Sequence, residues 1–131
     1  MCRRMEQEFG TRPEDLLAAI GPSICQQCYE VSEDVAKAFE QALKGTDEIL
    51  REIQRKGLFQ EGVVYPGREK GKYQLDLWLA NLIILRRAGI LLENISVTDI
   101  CTCHNPEYLF SHRASKGRRG NLGAFLMLKK Y

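Results

Sequence analysis

The sequence predicts an α/β protein, a mixed-sheet layered sandwich with helices packed on the sheet, and three observations carry that prediction. Short apolar stretches bounded by turn residues, at 16–20, 95–100 and 122–128, read as strands. Between them lie segments with apolar residues at helical spacing, the clearest at 35–43, so strands and helices are intermixed along the chain. The segment 77–88 is apolar nearly all round, which demands burial between layers.

From the start of the chain, Met1, Met5 and Phe9 fall at i, i+4 and i+8 among charged residues, and Gly10 is placed to end a short helix. That helix has no N-cap and is too short to nucleate well, so it reads either as a short frayed helix or as the tail of a longer element. After the turn at 11–15, the stretch 16–20 is a buried strand stopped by Gly21-Pro22. A loop with Cys25 and Cys28 follows. Ser32 is placed as an N-cap, Glu33 and Asp34 complement the helix dipole, and Val35, Ala38, Phe39, Ala42 and Leu43 form one face before Gly45. Thr46 caps a shorter helix reaching about Arg55, with Ile49, Leu50 and Ile53 apolar. The region 57–71 is irregular apart from a short strand at 63–65 and the turn Pro66-Gly67. Extended structure resumes at 72–75, Asp76 caps the helix 77–88, and Gly89 closes it. The strands 95–100 and 122–128 complete the set.

A chain of 131 residues is one domain, 1–131, able to bury roughly two thirds of its unfolded surface without disulfides. The hydrophobic share of 44% and charged share of 27% are ordinary for a globular protein and exclude disorder. A net charge of +2 gives no general support for binding nucleic acid or an anionic membrane, and Lys116, Arg118 and Arg119 make only a local basic cluster. The apolar run at 82–85 is far too short to span a bilayer, so neither nucleic acid nor membrane is an expected partner. Five cysteines is an odd number, and no apolar signal run precedes them, which makes the reducing cytoplasm the expected location.

Chemistry concentrates in residues 101–128, which hold both histidines, two cysteines and a glycine-punctuated basic loop. Cys25-Gln-Gln-Cys28 together with Cys101-Thr-Cys103-His104 could supply four soft ligands, and Cys25, Cys28, Cys101 and Cys103 are the cysteine set for a structural zinc. The competing reading is reduced thiols in half-buried loops. A redox C-x-x-C is disfavoured because Cys25 does not open a helix. Cys101 or Cys103 could pair with His112 as nucleophile and base if the loop folds back, although no orienting Asp or Asn is fixed by the spacing. The alternative for His112 is a hydrogen-bonded position beside a sheet. Gly117-Arg-Arg-Gly-Asn121 offers backbone N–H groups and guanidiniums to a phosphate or carboxylate, or is a solvated hairpin-like loop. Asp76 reads as a cap and Trp78 as packing.

Three blocks, Ala19-Ile-Gly-Pro-Ser-Ile-Cys-Gln-Gln-Cys-Tyr-Glu-Val31, Tyr73-Gln-Leu-Asp-Leu-Trp-Leu-Ala-Asn81, and Cys101-Thr-Cys103 through Phe110-Ser-His-Arg113 with the Gly120 loop, resemble the laccase-domain family. Its members were first called multicopper polyphenol oxidases and are now regarded as purine nucleoside phosphorylases. The resemblance implies a cytoplasmic enzyme that cleaves adenosine or inosine with phosphate, with adenosine deaminase and methylthioadenosine phosphorylase side activities, on a four-layer α-β-β-α sandwich. It also implies a zinc or copper ion held by two histidines and a cysteine in segments like V-H-G, A-D-C-x-P-V and H-A-G-W-R-G. None of these strings occurs in this sequence. The chain is therefore expected to be a C-terminal portion that lacks the catalytic ligands and is inactive alone.

In the family's terms Ser111, His112 and Arg113 match a Ser-Tyr/His-Arg signature for substrate binding, and Gly120 the glycine that follows. Ala114 stands where the family often has a second arginine. Arg113 is the expected contact to substrate or phosphate, because a guanidinium fork suits such groups. Three other readings stay open: an amidase editing a UDP-linked muropeptide precursor of peptidoglycan, a non-catalytic zinc-binding module, and an interaction protein associating through uncovered sheet surface.

Overall fold

The computed structural model describes residues 1–59, 61–118 and 120–127. Helix α1 spans Cys2–Phe9 and ends on Gly10, whose φ of 65° is the left-handed conformation that residue was expected to supply. No residue of α1 is buried. Strand β1 is Ala18–Ile20, shorter than the expected stretch because Leu16 ends a 3-10 turn over Pro13–Asp15 and Leu17 is exposed. Strand β2, Glu30–Ser32, occupies residues read from sequence as loop and cap.

Helix α2, Glu33–Ala42, and helix α3, Asp47–Arg55, both carry acidic residues in the first turn, where they meet the positive end of the dipole. Their caps differ from expectation. Ser32 takes the N-cap position, but its hydroxyl pairs with the Asp34 carboxylate. Thr46 is buried, and its hydroxyl donates to the Leu43 carbonyl at 2.6 Å, fixing the link between α2 and α3. Strand β3 is Val64–Pro66, β4 is Lys72–Leu75, and α4 is Leu77–Arg87. At α4 the cap is as expected: the Asp76 carboxylate accepts from the Leu79 N–H at 2.9 Å. Strand β5 is Ile95–Val97, ended by Asp99 with φ of 53°.

β1 and β5 pair in parallel, with Ala18 opposite Ile95 and Ile20 opposite Val97. β2, β4 and β3 form a separate antiparallel sheet with β4 in the middle, Glu30 opposite Gln74 and Val64 opposite Leu75. The protein is thus mixed α/β, with α4 against the parallel pair, α3 against α4, and α2 against the antiparallel sheet. Ile20, Ile53, Val63, Leu79, Leu82 and Ile83 form the centre of the core. Burying each such side chain is worth about 1.5–3 kcal/mol. Among the described residues, no helix is long and apolar enough to cross a membrane.

The expected closing strand 122–128 is not found: residues 122–127 lie in no strand, with Phe125 and Leu126 fully exposed, and Leu128 lies outside the described residues. A strand exists only when another strand takes its backbone hydrogen bonds, and none of the described residues pairs with this segment.

Candidate functional site

Parallel pairing continues past the ends of β1 and β5. Thr98 N–H donates to the Ile20 carbonyl at 3.0 Å, Ser23 N–H to Ile100 at 3.2 Å, and Thr102 N–H to Ser23 at 3.2 Å, so that Ser23 and Cys101 form a bridge. The loops leaving the carboxyl ends of the two strands therefore lie side by side, the position where open parallel sheets commonly bind ligands. Both loops carry cysteines.

In the first loop, Cys25 opens a 3-10 turn over Gln26–Cys28, closed by Cys28 N–H to the Cys25 carbonyl at 3.1 Å, which turns both thiols to one side. In the second, Asn105 donates to the Cys101 carbonyl at 2.8 Å and pins a turn that brings His104 back over the thiols. Cys28 Sγ lies 3.2 Å from His104 Nε2, Cys25 Sγ lies 3.8 Å from His104 Nδ1, and the Cys25 N–H points at Cys101 Sγ at 3.3 Å. One donor atom from each of Cys25, Cys28, Cys101 and His104 falls within 4.8 Å of the others. None of the cysteines is in a disulfide.

The thiols differ in acidity. Burial, then the neighbouring Cys25 and Cys103 thiols, pushes Cys28 up to about 12. Burial and the contact with Cys101 raise Cys25 as well. At Cys101 burial is again the largest single influence and acts upward, but the backbone N–H groups of Cys25 and His104, with further donors, outweigh it and lower the thiol. Crowded thiols that resist ionising together are a setting in which a cation, by neutralising them, has a large effect.

A cleft of about 650 Å³ opens beside this corner, lined by Cys25, Asp76, Trp78, Cys101, His104 and Asn105 among others. Trp78, read as packing, also donates from its indole nitrogen to Ser23 Oγ at 2.6 Å and so ties α4 to the first cysteine loop. Burial holds the Asp76 carboxyl above its ordinary value, against the pull of the Leu79 and Trp78 N–H groups.

Cys103 lies next to Cys28 but outside the convergent set, and His104 stands where the cysteine reading put Cys103. The signal was present in the sequence: Cys101-x-x-His104 has the same spacing as Cys25-x-x-Cys28. The histidine beside the thiols is His104, whereas His112 is exposed and accepts Gly117 N–H at its carbonyl at 2.9 Å.

Ser111 is buried, and its hydroxyl accepts the Ala114 N–H at 3.2 Å, which shapes the turn carrying the next two residues. Arg113 donates to the Glu30 carbonyl at 3.1 Å, and its guanidinium stands 5.8 Å from the centre of the Tyr29 ring. A groove of about 230 Å³ is lined by Cys28, Glu30, Arg68, Gln74, Cys103 and Arg113, and the Arg68 backbone N–H donates to the Glu30 carboxylate there at 2.9 Å. In the basic loop, Lys116 and Gly117 both have positive φ, and Gly120 packs so close to the Phe110 ring that a Cβ there would overlap it. Arg119 lies outside the described residues.

The sequence matches the family model described as multi-copper polyphenol oxidoreductase laccase over residues 1–129. It is 31% identical over 130 residues to the purine nucleoside phosphorylase YlmD of Bacillus subtilis (strain 168), covering 99% of this chain and 41% of that protein. It is 32% identical over 127 residues to a purine nucleoside phosphorylase of Bacteroides thetaiotaomicron, covering 97% of this chain and 42% of the other. The crystal structure of YlmD from Geobacillus stearothermophilus superimposes with a TM-score of 0.71 at 27% identity, over 89% of this chain and 38% of that one. The chain thus spans about 40% of the length of these relatives. It belongs to the multi-copper polyphenol oxidoreductase laccase family.

Proposed function

We propose that this chain supplies the C-terminal portion of a purine nucleoside phosphorylase, which converts adenosine or inosine and phosphate to the free base and ribose 1-phosphate. The observation that carries the reading is the match of nearly the whole chain to two proteins of that name. The groove that Arg113 and Arg68 both line supports it on physical grounds. A guanidinium suits a phosphate, because its planar fork can donate to two phosphate oxygens at once.

In phosphorolysis a phosphate oxygen bonds to the anomeric carbon as the glycosidic bond breaks. The electron pair of that bond leaves with the purine, which takes up a proton. The transition state is oxocarbenium-like, so placing phosphate charge beside the ribose matters more than supplying a protein nucleophile. Arg113, fixed by the Glu30 carbonyl and the Tyr29 ring, would hold phosphate. Ser111 would position it by shaping the turn, and His112, exposed beside it, would face the nucleoside. The ligand strings that the family resemblance implies for its metal are absent from this sequence, so no step is assigned to a metal.

The test is to assay inosine phosphorolysis by the 131-residue chain alone and joined to the preceding portion of a family member. The chain alone is expected to be inactive and the joined protein active, with Arg113→Ala raising the KM for phosphate at least about tenfold, equivalent to ~1.4 kcal/mol. Robust turnover by the chain alone would remove the claim that the catalytic ligands lie elsewhere.

A further inference from the structure

We propose that Cys25, Cys28, Cys101 and His104 form a closed structural zinc(II) site that clamps the loop after β1 to the loop after β5. Three thiolates and an imidazole are a donor set of structural zinc centres, and four protein ligands leave no position for water or substrate. The soft donors select against magnesium and calcium. Neither the site nor its residues coincide with the two histidines and one cysteine that the family resemblance implies, since those strings are missing here.

The geometry suits the ion with little movement. A tetrahedron with Zn–S bonds of ~2.3 Å has edges of roughly 3.8 Å. One donor atom from each of the four residues already lies within 4.8 Å of the others, and the two ring nitrogens of His104 each face a thiol, Nε2 at 3.2 Å from Cys28 and Nδ1 at 3.8 Å from Cys25. One ring nitrogen of His104 would bind, and a turn of the ring would release the other from the thiol it now faces. Each loop contributes two donors three residues apart on a single turn, and the Ser23–Cys101 bridge sets the turns side by side. The Cys25 N–H aimed at Cys101 Sγ at 3.3 Å is the kind of backbone donor that stabilises a metal-bound thiolate.

The clamp also has a reach beyond the corner. Tyr29 and Glu30 follow Cys28 directly, and they are the residues against which Arg113 rests. Fixing the first loop therefore fixes the floor of the arginine groove. The assignment does not depend on the phosphorylase reading, because metal content and ligand spectra report it without any turnover.

The experiment is to purify the 131-residue chain under reducing conditions, measure bound metals, and substitute cobalt(II) for spectroscopy. One zinc per chain is expected, removable by chelation, and the cobalt form should show tetrahedral ligand-field bands with strong thiolate charge transfer. Cys28→Ser and His104→Ala should each weaken metal binding by more than the roughly 10–100-fold typical of changes outside the ligand set. Cys103→Ser and His112→Ala should leave stoichiometry and spectrum unchanged. Should a ligand variant misfold, the wild-type cobalt spectrum and the Cys103→Ser comparison still decide. An absence of bound metal, stoichiometric copper or iron in place of zinc, a cobalt spectrum without thiolate bands, or dependence on Cys103 instead of His104 would each overturn the assignment.

Discussion

The core around α4 and the cysteine corner sit on the same two parallel strands, yet they are held together by opposite means. Leu79, Leu82 and Ile83 of α4 pack with Ile20 and Ile53 and are almost wholly removed from water. At the corner only Cys101 of the convergent set is buried, and His104 is exposed. Nondirectional apolar burial secures the first region, and directed donors in the second set its geometry. The core rests on many apolar side chains, whereas the corner is shaped by a handful of directed contacts.

Leu79→Ala strikes the core side of this comparison and carries the largest expected effect. It removes a side chain with no exposed surface and should cost about 2–5 kcal/mol by denaturant unfolding, while the refolded protein keeps the same metal content. Next comes Gly67→Ala in the hairpin between β3 and β4. A Cβ there would lie 2.5 Å from the backbone carbon and oxygen of Lys72, which cannot move without disturbing the strand register. A loss of about 1–3 kcal/mol is expected, with the parallel pair untouched in hydrogen exchange.

Asp76 joins the two regions, because it caps α4 and lines the cleft. Asp76→Ala should cost ~1 kcal/mol through the lost cap, and Asp76→Asn, which keeps an acceptor for the Leu79 N–H, should cost less. Since burial raises the folded-state pKa, the native protein holds this proton more tightly than the unfolded chain. The residue's contribution is therefore fully present below its unfolded pKa and lost as pH rises through the folded one. Stability of the parent relative to Asp76→Asn should accordingly improve on acidification across that window; a difference that is flat with pH would show the carboxyl to be unshifted.

Smaller still is the ion pair between Arg86 and Glu52 at 3.0 Å, which links α4 to α3. A double-mutant cycle should give about 0.2–1 kcal/mol, because both side chains retain access to water. Least of all, Phe125→Ser with Leu126→Ser should change stability by no more than ~0.5 kcal/mol, since both side chains are already exposed. A larger loss would show that this segment packs in solution.

Local patterns decided most of the elements. The helical spacing of 35–43, the apolar girth of 77–87, the Asp76 cap and the Gly10 stop each express forces acting within a few residues, so they could be read along the chain. Strand lengths and the fate of 122–127 were not legible in the same way. Strand pairing is a property of two segments, and β2 exists because β4 accepts Glu30–Ser32, not because those three residues favour extension. The site divides along the same line. Cysteine count and the C-x-x-C spacing raised zinc, and the family blocks singled out Arg113. The sequence could not rank His104 above Cys103, because it takes the Ser23–Cys101 bridge to set the loops side by side and the turn pinned by Asn105 to bring His104 over the thiols. The sequence by itself thus determined fold class, family, helices and the inventory of donors. Tertiary structure alone decided which donors meet, since convergence of loops 76 residues apart, as between Cys25 and Cys101, is fixed by sheet register and not by any local preference.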